Sequence, residues 1–396
     1  MHGHKLAVAI AGIAISIAVV IAAGGATQDR HKNATSDRPP SRVARPASEA
    51  AALEERFAWS LDEAGKAGAG TEVWIGYAVE RLMGENSHIG SFHGGRRGQE
   101  QTVAEVLSGR KALPAAPDSG GEVRQAAKAV LDDLENKKKP EKKVLKEIGI
   151  FLRYRAGRTP ALTDVSLSNL DLAFDFEALP LYWLGEAQDA ESLSLVKKLY
   201  AGSREDEARE GLLAAAGCHG TPALVVPFLA GVLGGGDPDD LRKDAAFWIG
   251  QQNDAEGLRI LVRAARTDKS EDVREGAVFA ISQVELPAAA DEIIALARGA
   301  ELRDVRKQAV FWLGQMASEK AGKALEEFAR KDGDIEVQEQ AVFALSQLPD
   351  NGGVEPLIKL AKTHPDPRVR KKAVFWLGEC DDPRALETLI AIIKGK

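Results

Sequence analysis

A small residue, glycine or serine, preceded by three or four apolar ones and usually followed by glutamine, recurs at Gly185, Gly217, Gly250, Ser282, Gly314, Ser346 and Gly378, with successive spacings of 32, 33, 32, 32, 32 and 32 residues. The fullest copies are AAFWIGQ (245–251), AVFAISQ (277–283), AVFWLGQ (309–315), AVFALSQ (341–347) and AVFWLGE (373–379). A unit of this size is too short to enclose a core, so it buries its faces only against the units on either side. A second amphipathic stretch lies between motifs, such as EKAGKALEEFARK (319–331) or VEPLIKLAKT (354–363). The spacing therefore predicts two short antiparallel helices per unit and an α-solenoid of about seven repeats. With only 6% aromatic residues, and with Ala, Leu, Glu and Lys dominating the second half, the composition argues against a β-sandwich.

Within the first helix of a unit, Val305, Ala309, Trp312 and Met316 fall on one face, with Val310 and Phe311 flanking it. Two residues before the small position the sequence alternates Trp183, Ala215, Trp248, Ala280, Trp312, Ala344 and Trp376. Close packing requires a large side chain in one layer to meet space in the next, so this row reads as core and defines a 64-residue super-repeat of paired units. Asp272-Val-Arg274 and Asp304-Val-Arg306 open two of these helices, and Arg242 and Arg370 hold the equivalent arginine position. An acid there meets exposed N–H groups of the first turn. The arginine column is expected to bond to acids or carbonyls of adjacent repeats, with a break at Gln338.

At these residues the chain resembles the HEAT-like repeats of the phycobilisome-lyase type, on the D-V-R opening, the A-V-F-W-L-G-Q helix and the 32-residue unit, over about residues 175–396. The resemblance implies an all-α fold, a HEAT-like solenoid built as a curved, right-handed array of helix pairs, in a family that runs from bilin lyases to protein-binding modules. Tetratricopeptide and ankyrin signatures are absent apart from a single Thr221-Pro222-Ala223-Leu224.

Ahead of the repeats, residues 1–26 read as a signal peptide or an N-terminal anchor: His2, His4 and Lys5 precede an apolar run from Leu6 to Ala23, then Gly24, Gly25 and Ala26. Residues 6–23 are long enough to serve as a membrane tether if uncleaved, and in either case the folded part is expected in the periplasm or on the outer face of the inner membrane. Residues 27–48, with Pro39, Pro40 and Pro46 among Ser, Arg and Asp, read as a disordered linker. Residues 49–165 are expected to form a small α+β cap ahead of a solenoid at 166–396. Its predicted elements are a helix at 49–63, a strand at 72–79, helices at 122–136 and 141–156, and a short strand at 163–168.

Chemistry-bearing motifs are scarce. His88, His93, Arg96 and Arg97 in the glycine-rich stretch HIGSFHGGRRG (88–98) form a candidate anion-binding loop. His219 and His364 are isolated in inter-repeat turns, without the paired His-Glu dipeptides by which HEAT-repeat deoxyhypusine hydroxylases hold iron. No G-x-S-x-G, H-E-x-x-H, P-loop or paired CxxC occurs, and no cofactor is implied. From 241 to 396 there are 24 Lys and Arg against 26 Asp and Glu, mixed along the second helices, which is not the single-sign stripe that nucleic acid requires. The reading is an exported, non-catalytic scaffold for a protein partner, with Lys323, Glu326 and Lys359 on second helices as partner-binding candidates. The alternative is a lyase-like or metal-assisted enzyme working from the His88 to Arg97 loop.

Overall fold

The computed structural model describes residues 38–85, 87–90, 101–109, 142–316 and 318–394. They form two compact units that divide between Val225 and Val226.

The first unit is built on a five-stranded sheet in the order β1, β5, β2, β3, β4. Its strands are β1 (Val43–Ala44), β2 (Glu72–Gly84), β3 (Lys143–Arg155), β4 (Ala161–Asn169) and β5 (Leu181–Glu186). Strands β2, β3 and β4 run antiparallel in sequence, whereas β5 is parallel to both β2 and β1. Both faces are buried. Trp74, Ala78, Phe151 and Trp183 pack on one side with Val103 of helix α2 (Val103–Ser108) and Phe176. On the other side, Phe57 of α1 (Leu53–Gly65) meets Tyr154 edge-on at 5.8 Å. There Ser192 of α3 (Asp189–Gly202) donates to the Tyr77 hydroxyl at 2.9 Å. Helix α4 (Asp206–Gly217) packs on β4 where Gly211 lies against the Val165 backbone.

Three sequence expectations give way here. Residues 143–155 are a strand and not part of a helix: Val144, Ile148, Ile150, Leu152 and Tyr154 alternate with Gly149, Phe151 and Arg153, a period of two. The apolar run LYWLGE at 181–186 is also a strand, flanked on both sides by sheet partners, with Gly185 at φ +83°, a left-handed conformation that ends the helical reading. Trp183 and Gly185 therefore belong to the sheet, and the α+β region runs past residue 165. From residue 38 onward the linker is structured: β1 pairs with β5, and Arg38 makes a two-pronged ion pair with the buried carboxylate of Asp175 at 3.1–3.2 Å. Burial raises the Asp175 carboxyl, but hydrogen bonds from Arg38 and the Glu177 and Arg38 amides outweigh it and hold the group below its ordinary value. The leader at 1–26, the linker as far as residue 37 and the helix expected at 122–136 lie outside the described residues.

In the second unit the expected helix pairs appear. After α5 (Pro222–Leu233), which contains the boundary residue Val226, first helices α6 (Asp239–Gly250), α8 (Glu271–Ser282), α10 (Arg303–Gln315), α12 (Ile335–Ser346) and α14 (Pro367–Gly378) alternate with second helices α7 (Ala255–Thr267), α9 (Pro287–Gly299), α11 (Glu319–Lys331), α13 (Val354–Thr363) and α15 (Pro383–Ile393). Each first helix buries the equivalents of Val305, Ala309 and Leu313 of α10, where Val310 and Gly314 are buried as well. Trp312 and Met316 are only half-buried, so the buried face is rotated from the expected one toward Val310 and Leu313.

The super-repeat is real, but it is made by small residues meeting small ones. A Cβ on Gly250 would fall 2.7 Å from the Ala280 carbonyl oxygen, and one on Gly314 would fall 2.9 Å from the Ala344 Cβ. Helix α6 thus approaches α8, and α10 approaches α12, at a distance only glycine permits. The arginine column fastens these pairs. Arg242 reaches the Leu233 carbonyl and the Asp268 carboxylate, and Arg306 reaches the Ala297 carbonyl and Asp332. Asp268 and Asp332 in turn accept from the Ser270 and Asp334 amides at the start of the next first helix. Gln338, where the arginine is missing, still donates to the Asp332 carbonyl at 2.6 Å. Asp272 and Asp304 sit in first turns without capping a backbone N–H; caps come instead from Asp254, Ser318, Asp334, Asp366 and Asp382.

Candidate protein-interaction surface

The two helix sets of the second unit present chemically different surfaces. Along the first helices runs an unbroken ladder of rings: Phe247 stacks on Phe279 (6.2 Å), Phe279 meets Trp312 (4.9 Å), Trp312 meets Phe311 (5.0 Å), Phe311 stacks on Phe343 (6.2 Å), and Phe343 meets Trp376 (5.1 Å), which adjoins Phe375. The repeat forces this arrangement, because Phe follows the Val or Ala at 246, 278, 310, 342 and 374, buried in all but the last copy, and so emerges at the edge of the core. Phe247 is buried, Phe279, Phe311 and Phe343 are half-buried, and Phe375 is exposed. The sequence reading assigned the tryptophan row to the core and Phe311 to its flank; the half-open ladder follows once the buried face is shifted by one position.

A cleft of about 340 Å³ opens beside the ladder, lined by Lys307, Glu336, Glu339, Gln340, Phe343 and Lys372. Lys307 is tied to Glu336 at 3.2 Å. The side chains of Glu339, Gln340 and Lys372 have no hydrogen bond or ion pair among the described residues. The cleft therefore offers one half-buried ring beside an amide, a carboxylate and an ammonium, each free to pair with an arriving polypeptide.

The second helices carry charge that is matched in part. Lys359 meets Glu326 at 3.3 Å across neighbouring helices, Arg298 meets Glu327 at 2.7 Å, and Lys320 pairs with Asp291. Lys323 turns to Glu319 of its own helix at 2.6 Å, and the hydrogen bond to that carboxylate raises the Lys323 ammonium above its ordinary value. Of the three partner-binding candidates, then, Glu326 and Lys359 are brought together and Lys323 stands apart. All lie on an exposed surface whose ion pairs are screened by salt.

In the first unit, His88 is held near Lys146 (3.3 Å) and Asp171 (3.7 Å), while His93, Arg96 and Arg97 lie outside the described residues. A cleft of about 280 Å³ is lined by Glu80, Glu147, Glu186 and Asp189. Burial, then the Glu186 and Glu80 charges, raise the Glu147 carboxyl above its ordinary value. Among the described residues no group of three or more His, Cys, Asp or Glu is arranged to hold a metal ion. Cys218 and His219 are both buried. The thiol donates to the Ala215 carbonyl and is pushed up to about 12 by burial, far from a reactive thiolate. His219 keeps its Nδ1 at 3.0 Å from the Ala216 carbonyl, and burial lowers its pKa. His364 uses Nδ1 to accept from the Asp366 amide, a turn-closing contact.

Residues 226–314, 290–361 and 322–396 each match the family model for HEAT repeats. No curated protein matches the chain in sequence. Among solved structures, human deoxyhypusine hydroxylase in complex with glycerol is 18% identical, with 51% of this chain and 90% of that chain covered and a TM-score of 0.23. The complex of CpcE and CpcF of phycocyanin lyase from Nostoc sp. PCC7120 is 22% identical over 50% of this chain and 79% of that one, with a TM-score of 0.29. The S. pombe condensin Cnd3-Cnd2 subcomplex is 16% identical over 52% of this chain and 31% of that one, with a TM-score of 0.30. The matched segments coincide with the stacked helix pairs α6 to α15, and residues 226–396 of the chain are an array of HEAT repeats.

Proposed function

We propose that the chain is an exported scaffold whose repeat array binds a protein partner along its first helices. The observation that carries this reading is the cleft beside Phe343, where Glu339, Gln340 and Lys372 stand unpaired next to a half-buried ring. A ring for apolar burial, bordered by unpaired polar groups of both signs, suits polypeptide recognition, whereas phosphate tracking wants one sign of charge. Export rests on the leader pattern at residues 1–26.

A photo-crosslinking side chain placed at Gln340 tests the surface, with Lys323 as the comparison site on the second helices. Crosslinks to a distinct protein from Gln340 and none from Lys323 are the expected result. Crosslinks only from Lys323 would move the partner to the Glu326 and Lys359 surface, and none from either position would end the scaffold reading. N-terminal sequencing of the protein recovered from the cell envelope tests export separately.

A further inference from the structure

Strand β2 outruns its neighbour on one side. It pairs with β3 without a break from Glu72 to Gly84, but β5 accompanies it only as far as Ala78, opposite Glu186, and there the chain turns away into α3. The Trp74 amide donates to the Pro180 carbonyl and the Ala78 carbonyl accepts from the Ala187 amide, so the even-numbered residues of β2 direct their backbone groups toward β5. The alternation continues past the end of β5. Glu80 and Leu82 therefore turn their N–H and C=O groups to an edge with no strand beside it among the described residues. The opposite edge, along β3, is partly occupied: the Glu147 carbonyl accepts from the Leu170 amide at 3.1 Å, and Lys146 donates to the Ser87 carbonyl at 2.8 Å.

The side chains along this edge are unusual for a solvated ribbon. Residues whose backbone groups point away from β3 form its non-hydrogen-bonded pairs, in which facing side chains come closest. Leu82 stands directly opposite Leu145, each 59% exposed, and Glu80 stands directly opposite Glu147. The four extend the face that Trp74, Ala78 and Phe151 present to the aromatic core, but here that face is exposed. Like charges directly opposed in a ladder repel, and the side chains of Glu80, Glu147 and the nearby Glu186 have no ion pair among the described residues. A charge on a strand edge guards against self-pairing, and one glutamate would serve that purpose. It accounts neither for the second carboxylate opposite the first nor for two exposed leucines facing each other. An edge of free backbone groups calls for an extended chain, the carboxylates for a cation and the leucines for an apolar side chain. In a strand laid beside β2, side chains two residues apart emerge on one face, so a basic residue beside Glu80 places an aliphatic one beside Leu82. A second copy of this edge would set its own carboxylates against these. Residues 110–141, outside the described residues, follow Val130 and Leu131 with Asp132 and Asp133, again the wrong sign.

We infer that the edge of β2 at Glu80 and Leu82 receives an extended segment of a partner protein as an added strand, one in which a lysine or arginine and an aliphatic residue stand two apart. The site belongs to the first unit and does not depend on the cleft beside Phe343.

The test uses the full chain and a labelled, end-capped peptide, Thr-Lys-Thr-Leu-Thr-Lys-Thr, whose palindromic order presents the same pattern to a parallel or an antiparallel strand. Beside it run the same peptide with glutamate for lysine and the same peptide with methylated backbone nitrogens, which keeps the side chains and removes the strand's donors. Fluorescence anisotropy is expected to show saturable binding of the first, weaker as salt is raised, and at least tenfold weaker binding of the other two. At saturation, amide exchange at Glu80 and Leu82 should slow. Glu80→Lys is expected to weaken binding at least tenfold while raising the melting temperature slightly, because the new ammonium faces Glu147 across the ladder. Leu82→Pro should weaken it as well without disturbing the pairing of β2 with β3, since the lost N–H points away from β3. Equal binding of the methylated peptide would reduce the contact to charge attraction and overturn the inference, as would binding of the glutamate peptide. Absence of binding, the result expected if residues 110–141 already cover the edge, overturns it too. So does self-association of the chain that Leu82→Pro abolishes, which would give the edge to a second copy. None of these failures bears on the crosslinks at Gln340.

Discussion

The same substitution at two equivalent positions should act with opposite sign. In Gly314→Ala the added methyl falls 2.9 Å from the Ala344 Cβ, 3.0 Å from its carbonyl oxygen and 3.1 Å from its Cα. Ordinary van der Waals contact is about 3.5–4.0 Å, so the backbone of α12 must retreat by several tenths of an ångström along a helix fastened by Arg306 and Asp332. Overpacking of this kind costs about 1–3 kcal/mol, and the helical gain of alanine over glycine returns about 0.5–1, which leaves Gly314→Ala destabilised by about 1–2 kcal/mol. In Gly378→Ala the methyl meets nothing, so only the helical gain remains, reduced because the residue closes its helix, and the variant should be stabilised by about 0.5 kcal/mol. Urea unfolding followed by helical circular dichroism separates the two, the midpoint falling for Gly314→Ala and rising slightly for Gly378→Ala at unchanged slope. Equal shifts in the same direction would show that glycine is tolerated at these positions for its own flexibility and that the paired approach of first helices is not what it serves.

Other perturbations bear on the remaining features. Trp312→Ala should cost about 2 kcal/mol in the same assay, below the usual range for a buried aromatic, because the ring is half-exposed against Phe279; Trp74→Ala, in the closed core of the sheet, should cost about 4. In the native protein at about pH 8 an alkylating reagent should label Cys380 and leave Cys218 untouched until denaturant is added; prompt reaction of both thiols would show that α4 opens readily. The Asp175 carboxyl lies below its ordinary value in the folded chain, so its contribution is full above the ordinary carboxylate range and is lost as pH falls through the folded value. Asp175→Asn should therefore destabilise the chain at neutral pH, with the gap from wild type closing on acidification, and a pH-independent gap would mean that shape and not charge holds residue 38 in place.

The repeat array was legible because its signal is redundant: five near-identical copies of A-V-F report the same buried face, and neighbouring units confirm the spacing. The run at 181–186 was misread for the same reason, since its YWLG falls on the 32-residue grid while its partners in the sheet, β1 and β2, are remote in sequence. A strand of six apolar residues carries no period that distinguishes it from a buried helical turn. At 143–155 the alternation was present, but the lysines of the first half hid it under a helical composition. The ring ladder was legible in its members and not in its exposure, because the assignment of Trp312 to the core placed the buried face one residue away from where Val310 and Leu313 put it. Charges on the second helices gave candidate contact residues, but not that Glu326 and Lys359 would satisfy each other.

Glycine pressed on alanine gives the array a parity. Deleting one unit, residues 271–302, would bring α6 against α10, glycine against glycine. The contact would be hollow where it should be tight. Deleting two units, residues 271–334, would instead bring α6 against α12 and restore the glycine–alanine match. The length of this array is thus free to change in steps of 64 residues and resistant to steps of 32, so the module that duplication can copy, or recombination can trade, is the couple and not the single repeat.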